Sequence, residues 1–312
     1  MIELEPGAQP TVQRQFRLTQ PELDELRKQP DYQLKKEFIR PNSSPFAAPI
    51  LFTLKKDWGF RMCIDYRALN RVTIKSHYPI PRADELIEQL RTARFFSKID
   101  LRGGYHQIRV NPPVHPKIAF RIRHRSFKYI VMPFELTNAL ANFQMTMNEA
   151  FRPLLDECDI VYLDDIQIYS TNRAQHLRDI EVVFNILSEN HLLTKASKCE
   201  FLQDRLEFLG HVISADGVEI DPKKIVTIQA WHTPTNLTEL QSFLGFVNYV
   251  RQFVSDMAKL TTPLTDLLRK GVEYTWGGER ASCLLGPQKY FVLTRASHCR
   301  SSSSVQAGHR RK

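Results

Sequence analysis

Two adjacent aspartates, Asp164 and Asp165, sit between short β-prone apolar stretches in the string VYLDDIQIYS, residues 161–170. Neighbouring carboxylates repel. A chain keeps them together either because aspartate suits a hairpin turn or because they share a cation. Mg²⁺ favours one or two carboxylates completed by phosphate oxygens and water, and a two-metal site needs a further carboxylate from elsewhere in the chain. Asp100 offers it, ending the apolar run Phe95, Phe96, Ile99 and standing before Gly103-Gly104. A lone aspartate there also serves as an ordinary turn or cap residue. Taken jointly, an apolar strand ending in Asp, a helix, and an apolar hairpin bearing Asp-Asp make the pattern a two-metal nucleotidyl transferase needs.

The elements that must position these residues form a mixed series. TQPELDELRKQ starts a helix with Thr19 as cap. Residues 1–20 before it are extended and polar. IRPNSSPFAAPI, with three prolines, is a connector. ILFTLKKDWGFRMCIDY predicts two strands joined by a basic turn, Lys55 to Gly59, and RADELIEQLRTA a helix with Leu86, Ile87 and Leu90 on one side. A buried strand then leads through FFSKID into the glycine turn. A strand, turn and helix follow in YIVMPFELTNALANFQMTMNEAF. After the aspartate hairpin, Leu177, Ile180, Val183, Phe184 and Leu187 recur at helical spacing. LEFLGHVISADGVEI predicts a hairpin turning at Ser214–Gly217, Asp221-Pro222 caps a helix, and NLTELQSFLGFVNYVRQFV is amphipathic. The order is α+β without strict βαβ alternation and without internal repeats.

Composition sets bounds on the partners. The chain has 312 residues, 42% of them apolar and 25% charged, enough for one large or two to three smaller domains. No apolar run is long enough to span a membrane, and the first residues lack the basic and apolar regions of a secretory signal, so an intracellular, cytoplasmic location rather than secretion is expected. Five scattered cysteines without a CxxC spacing argue against a disulfide framework or zinc site. The net charge is +9, but seven Lys/Arg against one acid lie from Gly277 onward, leaving the body 36 basic and 33 acidic residues. Net charge alone therefore does not mark a nucleic-acid binder.

Seven strings in order carry a family resemblance: RMCIDYRALNRVTIKSHYPIPR, FSKIDLRGGYHQIRV, KIAFR, VMPFELTNALANFQMTMNEAFRPLL, VYLDDIQIYS, KASKCEFLQDRLEFLGHVIS and LQSFLGFVNYVRQFV. The chain resembles the reverse transcriptase of gypsy-class LTR retrotransposon Pol polyproteins over about residues 16–276. The resemblance implies a right-hand polymerase fold of fingers, palm and thumb, with the Asp-Asp hairpin in the palm sheet. It implies an N-terminal segment at 1–20, fingers and palm at 21–214, and thumb and connector at 215–276. The activity implied is RNA-directed DNA polymerisation, with a primed RNA or DNA template and dNTPs as partners and no membrane. Asp100, Asp164 and Asp165 are then the ligands of two Mg²⁺, for which Mn²⁺ can substitute. Lys55 and Arg61 contact the incoming triphosphate. Tyr105 underlies the deoxyribose, and Gln144 shapes the nucleotide pocket. Phe208, Leu209, Gly210 and His211 grip the primer, and Lys198 donates a proton to pyrophosphate, with Lys195 near enough to take that place.

The chain also departs from the family. Glu135 and Leu140 stand where glycine and proline are usual, Asn142 where threonine is usual, and the KKDWGF turn is shorter or reordered relative to the usual Lys-Lys-Asp-Gly pattern. Glutamate at 135 is expected to resist the backbone angles glycine accepts and to bring charge near the triphosphate. After Tyr274-Thr275-Trp276 the resemblance stops, and residues 277–312, with four consecutive serines and a basic end, suggest a disordered tail created by a frameshift. A decayed or repurposed fragment that keeps the fold and binds nucleic acid without polymerising is the alternative. A palm-type nucleotidyl cyclase would share the aspartates but not the primer-grip string.

Overall fold

The computed structural model describes residues 2–54, 59–155, 157–249, 251–253, 257–278 and 280–284. Thr19 and Glu22 form a reciprocal cap, with Glu22 Oε2 accepting from both the Thr19 backbone N–H (2.7 Å) and its hydroxyl (2.8 Å). The helix they start, α1 (Gln20–Lys35), continues through the buried Pro30. In chain order there follow β1 (Ile39–Pro41), β2 (Ile50–Leu54), β3 (Phe60–Ile64), α2 (Arg67–Arg71), α3 (Ala83–Leu90), β4 (Phe95–Asp100), β5 (Ala119–Arg121), β6 (Ser126–Tyr129), α4 (Ala139–Ala150), β7 (Asp159–Tyr162), β8 (Asp165–Ser170), α5 (Arg173–Glu189), β9 (Glu200–Gln203), β10 (Arg205–Phe208), β11 (His211–Ser214), β12 (Gly217–Ile220), α6 (Pro222–Gln229), α7 (Leu237–Tyr249) and α8 (Met257–Thr265). The sheets run β1-β6-β5, β2-β3, β7-β8-β4-β9 and β10-β11-β12. This is the α+β order that the sequence predicts.

The chain divides into two compact units between Leu206 and Glu207. The sequence reading put the corresponding boundary at 214/215. The cut falls earlier because β11 pairs along its whole length with β12, from His211↔Ile220 to Ser214↔Gly217, and Ile220 enters the second core. The first core gathers Ile99, Phe143, Met147, Val161, Ile166, Ile168 and Val183 beneath the four-stranded sheet. The second is built on Phe243, Val247, Leu240 and Leu264.

Two expectations change at the level of packing. Helix α5 buries His176, Asp179, Val183, Ile186 and Leu187, while Leu177 and Phe184 are exposed. The polar pair goes inside because a hydrogen-bonded chain satisfies it. Ser97 Oγ lies 2.8 Å from His176 Nε2, His176 Nδ1 lies 3.0 Å from Ser170 Oγ, and the Ser170 hydroxyl donates to Asp179 Oδ2 at 2.7 Å. The second change concerns the predicted tail. Residues 280–284 are helical, and Leu284 is buried in the second core with Cys283 and Trp276 packed around it. The folded chain therefore extends past residue 277. The rest of the predicted tail, 285–312, lies outside the described residues.

Candidate active site

The aspartates are positioned by one sheet. β4 and β8 pair antiparallel in unbroken register from Phe95↔Ser170 to Asp100↔Asp165. Asp100 and Asp165 are therefore direct cross-strand neighbours, with side chains on the same face. On the opposite face Ile99, Ile166 and Ile168 enter the first core, which fixes that register. The hairpin turn is Leu163-Asp164, not the predicted Asp164-Asp165. Tyr162 pairs with Asp165, so Asp165 already belongs to β8.

Leu163 takes a left-handed φ of 57°, unusual for a branched side chain and worth about 1–2 kcal/mol of strain. Gln144, fully buried on α4, holds the turn in that shape. Its Oε1 accepts from the Leu163 N–H at 2.9 Å and its Nε2 donates to the Val161 carbonyl at 2.8 Å. Gln144 thus acts on the site by bracing the hairpin, and both ends of its amide are taken up by protein groups. Gly104 allows a further close approach, because a Cβ there would lie 3.2 Å from Asp164 Cβ and 3.1 Å from the Phe143 ring.

Each facing carboxylate has its own lysine. Lys198 Nζ bonds Asp100 Oδ2 at 2.9 Å, and Lys98 Nζ lies 3.1 Å from Asp165 Oδ1. Lys198 is delivered by a segment stitched beside Asp100: the Lys195 N–H donates to the Asp100 carbonyl, and Arg102 N–H to the Leu193 carbonyl, both at 2.9 Å. This separates the two candidate lysines, since Lys195 contributes its backbone and Lys198 its amine. Lys98 was missed by the sequence reading. The signal was there, because a residue two before Asp100 in a strand shares its face.

Burial, then the charges of Asp165 and Asp100, push the Asp164 carboxyl above the ordinary range; a hydrogen bond from its own backbone N–H and the Lys198 ammonium pull the other way. Burial first, then Asp164 and Tyr162, raise the Tyr105 hydroxyl to about 12. The Tyr105 ring leans on Phe143 at a centroid distance of 4.6 Å. Asp100, Asp164, Asp165, Tyr105, Gln144 and Lys198 thus lie in one neighbourhood, with Lys98 added.

The other predicted residues lie elsewhere. Arg61 is exposed on β3, where its charge acts on Glu135. Lys55 and most of its turn lie outside the described residues. Phe208, Leu209, Gly210 and His211 form a tight turn in the second unit, with Leu209 at φ 47° and Gly210 at φ 77°. The Tyr249 hydroxyl donates to the Leu209 carbonyl, and the His211 ring stacks on Tyr249 at 4.9 Å. A Cβ at Gly210 would run into the Lys224 amine and the Tyr249 hydroxyl.

The donor set suits a hard cation, being carboxylate oxygens only, with two ammonium groups already answering the same negative charge. Among the described residues no three His, Cys, Asp or Glu side chains are gathered as a ready ligand set. A metal would displace Lys98 and Lys198 rather than enter a formed cage.

A family model for reverse transcriptase (RNA-dependent DNA polymerase) matches residues 53–213. The chain is 38% identical over 266 residues to the retrovirus-related Pol polyprotein from transposon 297 of Drosophila melanogaster, covering 84% of this chain and 25% of that protein. The chain therefore spans about a quarter of that curated relative. Among solved structures it is similar to the foamy viral protease-reverse transcriptase dRH in complex with ds DNA, with a TM-score of 0.84 and 25% identity over 91% of this chain and 50% of that one. It is also similar to the foamy viral protease-reverse transcriptase in complex with RNA/DNA hybrid, with a TM-score of 0.79 and 25% identity over 91% of this chain and 39% of that one.

Proposed function

The chain belongs to the reverse transcriptase (RNA-dependent DNA polymerase) family, and on that premise we propose that it is the polymerase portion of a gypsy-class LTR retrotransposon Pol protein, working inside the cell. It would extend a primer with dNTPs on an RNA or DNA template. The observation that carries the reading is the facing of Asp100 and Asp165 across one rung of the sheet, with Asp164 next in the chain and a lysine on each facing carboxylate. The four-stranded sheet is then the palm, the β2–β3 hairpin part of the fingers, and residues from the Leu209-Gly210 turn onward the primer grip and thumb. The foamy viral proteins bound to duplex DNA and to RNA/DNA hybrid support the choice of partner.

Asp100, Asp164 and Asp165 would hold two Mg²⁺, which supply Lewis acidity toward the primer 3′-hydroxyl and neutralise the triphosphate. Lys198, held at Asp100 Oδ2 at 2.9 Å in the metal-free chain, would be the group that protonates the leaving pyrophosphate. Tyr105, backed by Phe143, presents a wall to the sugar. Gln144 keeps the Asp164 turn from relaxing.

Primer extension on a primed RNA template tests the proposal. Wild-type chain should extend the primer in Mg²⁺, and Asp164→Asn or Asp165→Asn should cost at least about a hundredfold. A folded wild-type chain that binds primed template without extending it would support the decayed-fragment alternative instead.

A further inference from the structure

Lys198 reaches Asp100 from a segment that side-chain packing does not hold. Leu192 and Cys199 lie against the first core, but none of the side chains of residues 193–198 is buried, and Leu193 is 61% exposed. Hydrogen bonds place this stretch instead. Thr194 bridges Leu101 antiparallel, continuing past the end of β4 the pairing that β9 makes with it at Lys98↔Glu200. Between the two pairings residues 196–198 form a 3₁₀ turn, and that turn carries the Lys198 amine to Asp100. β9 fixes one side of it. On the other side stands Gln107. Its Oε1 accepts from the Leu193 N–H at 2.6 Å, and its Nε2 donates to the Leu193 carbonyl at 2.9 Å and to the Arg102 carbonyl at 3.1 Å. One side-chain amide thus takes both backbone groups of Leu193, as a paired strand residue would. Gln107 itself ends the short 3₁₀ turn Gly104–Gln107, which also carries Tyr105.

We propose that Gln107 is a positioning residue for Lys198: its amide pins the chain at Leu193, and so sets where the ammonium stands when pyrophosphate leaves. A proton donor must lie within hydrogen-bond reach of the atom it serves, and a misplacement of about 1 Å can cost on the order of a hundredfold in rate. The exposed Leu193 backbone would turn to water if Gln107 let go, so the fold loses little. What it loses is the fixed start of a segment with no buried side chain to hold it. The inference rests on the polymerase reading for the role of Lys198, and it adds a residue that touches neither nucleotide nor carboxylate.

The test is single-turnover primer extension by the full chain. Gln107→Leu keeps the bulk of the side chain and removes all three bonds. It should slow the chemical step by about tenfold while the Kd for dNTP stays within about twofold. Gln107→Glu keeps the acceptor for the Leu193 N–H, loses both donations and should fall between; it carries the same test if the leucine variant does not fold. Two readouts separate positioning from general damage. Combined with Lys198→Ala, Gln107→Leu should cost no more than about twofold beyond Lys198→Ala alone. A dNTP whose β–γ bridge is a fluorinated carbon has a more acidic leaving group than one with a plain methylene, and its rate advantage should grow by about threefold or more in Gln107→Leu. Without metal or nucleic acid, the Lys195 N–H should exchange with solvent about fivefold faster or more in that variant, while the amides of the β4–β8 ladder keep their rates. Additive losses, an unchanged leaving-group advantage or unchanged Lys195 exchange each overturn the proposal, and so does a Lys198→Ala chain that is not slowed. If the wild type extends primers and Lys198→Ala slows it while Gln107→Leu matches the wild type, this inference falls alone. If the wild type does not extend primers, the polymerase reading falls and the role of Lys198 falls with it, while faster Lys195 exchange would still assign the placement of the segment to Gln107.

Discussion

Glu135 Oε1 accepts a hydrogen bond from the Ile64 N–H at 3.2 Å, tying the loop before α4 to the base of the β2–β3 hairpin. The Glu135 carbonyl also accepts from Asn70 Nδ2 at 2.9 Å. The backbone objection to glutamate at this position is corrected, because Glu135 is not among the residues with left-handed φ. Its charge still matters. Burial raises the carboxyl's pKa and Arg61 pulls it back down, so Glu135 draws on the cation proposed for the triphosphate. Glu135→Gln keeps an acceptor for Ile64 while freeing Arg61, and should lower the KM for dNTP by about two- to fivefold. Glu135→Gly also loses the tether and should melt lower, by about 1–2 kcal/mol. Steady-state kinetics and thermal melts of both variants check this. A glycine variant as stable as wild type would show that the tether contributes nothing.

Lys98 should matter most when no divalent ion is present. Without it, Asp165 faces Asp100 with one counter-ion missing. Lys98→Met should destabilise the metal-free chain by about 1 kcal/mol, discounted for partial exposure. Mg²⁺ should then raise the melting temperature more in the variant than in the wild type, because binding to the folded form stabilises it. Equal Mg²⁺ shifts would argue against competition between the ammonium and the metal.

Tyr105 carries a prediction about the sugar. Tyr105→Ala should raise incorporation of ribonucleotides relative to deoxyribonucleotides, whereas Tyr105→Phe, which keeps the ring against Phe143, should not. Single-nucleotide extension with paired rNTP and dNTP substrates reads the ratio. Unchanged discrimination in an active Tyr105→Ala variant would mean that another residue is the gate.

The pH dependence of stability should carry the mark of buried histidine. Burial holds His106, His176 and His211 below the usual 6.5. As pH falls through that value the unfolded chain takes up protons that the folded chain refuses. Their contribution is thus complete above about pH 6.5–7 and is lost on acidification toward the folded pKa. Glu135 and Asp164, raised by burial, act in the opposite sense: their contribution is present at low pH and is lost as pH rises through the folded value. His176→Gln isolates one member. It should flatten the slope of stability between pH 7.5 and 5.5 by up to about 1.4 kcal/mol per pH unit. Chemical denaturation across that range supplies the slopes, and parallel curves for the two proteins would refute the assignment.

Leu284 tests how far the folded chain extends. Its side chain is buried in the second core, so Leu284→Ala should cost about 2–4 kcal/mol. Ending the chain at Leu284 should keep that core while removing six cations, so non-specific nucleic-acid binding should become less salt-dependent. A Leu284→Ala protein that melts like the wild type would restore the earlier boundary at residue 277.

Much of this was legible in the sequence because the apolar period and the capping chemistry agree. Thr19 with Glu22, Asp221 with Pro222, and Leu86, Ile87 and Leu90 all stand where their patterns put them. The errors share a cause: a local pattern does not show distant partners. The turn at Leu163-Asp164 depends on Gln144, nineteen positions earlier, and looked like Asp-Asp because leucine is a poor turn residue. The face of α5 was misjudged because His176 and Asp179 are paid for by Ser97 and Ser170, which no helical period reveals. Lys198 could be told from Lys195 only once the strand pairing brought one amine to Asp100.

The cross-strand rung that joins Asp100 to Asp165 makes the apolar side of the sheet the keeper of the chemistry. A slip of one residue between β4 and β8 would set Ile166 opposite Asp100 and turn Asp165 toward the core. What forbids that slip is the fit of Ile99, Ile166 and Ile168 into the hydrophobic interior, not any feature of the carboxylates. A lineage of such chains could therefore lose its activity while all three aspartates stay in place, through small changes in the size of isoleucines that never touch a nucleotide. The isoleucines are the ruler by which the aspartates are measured out.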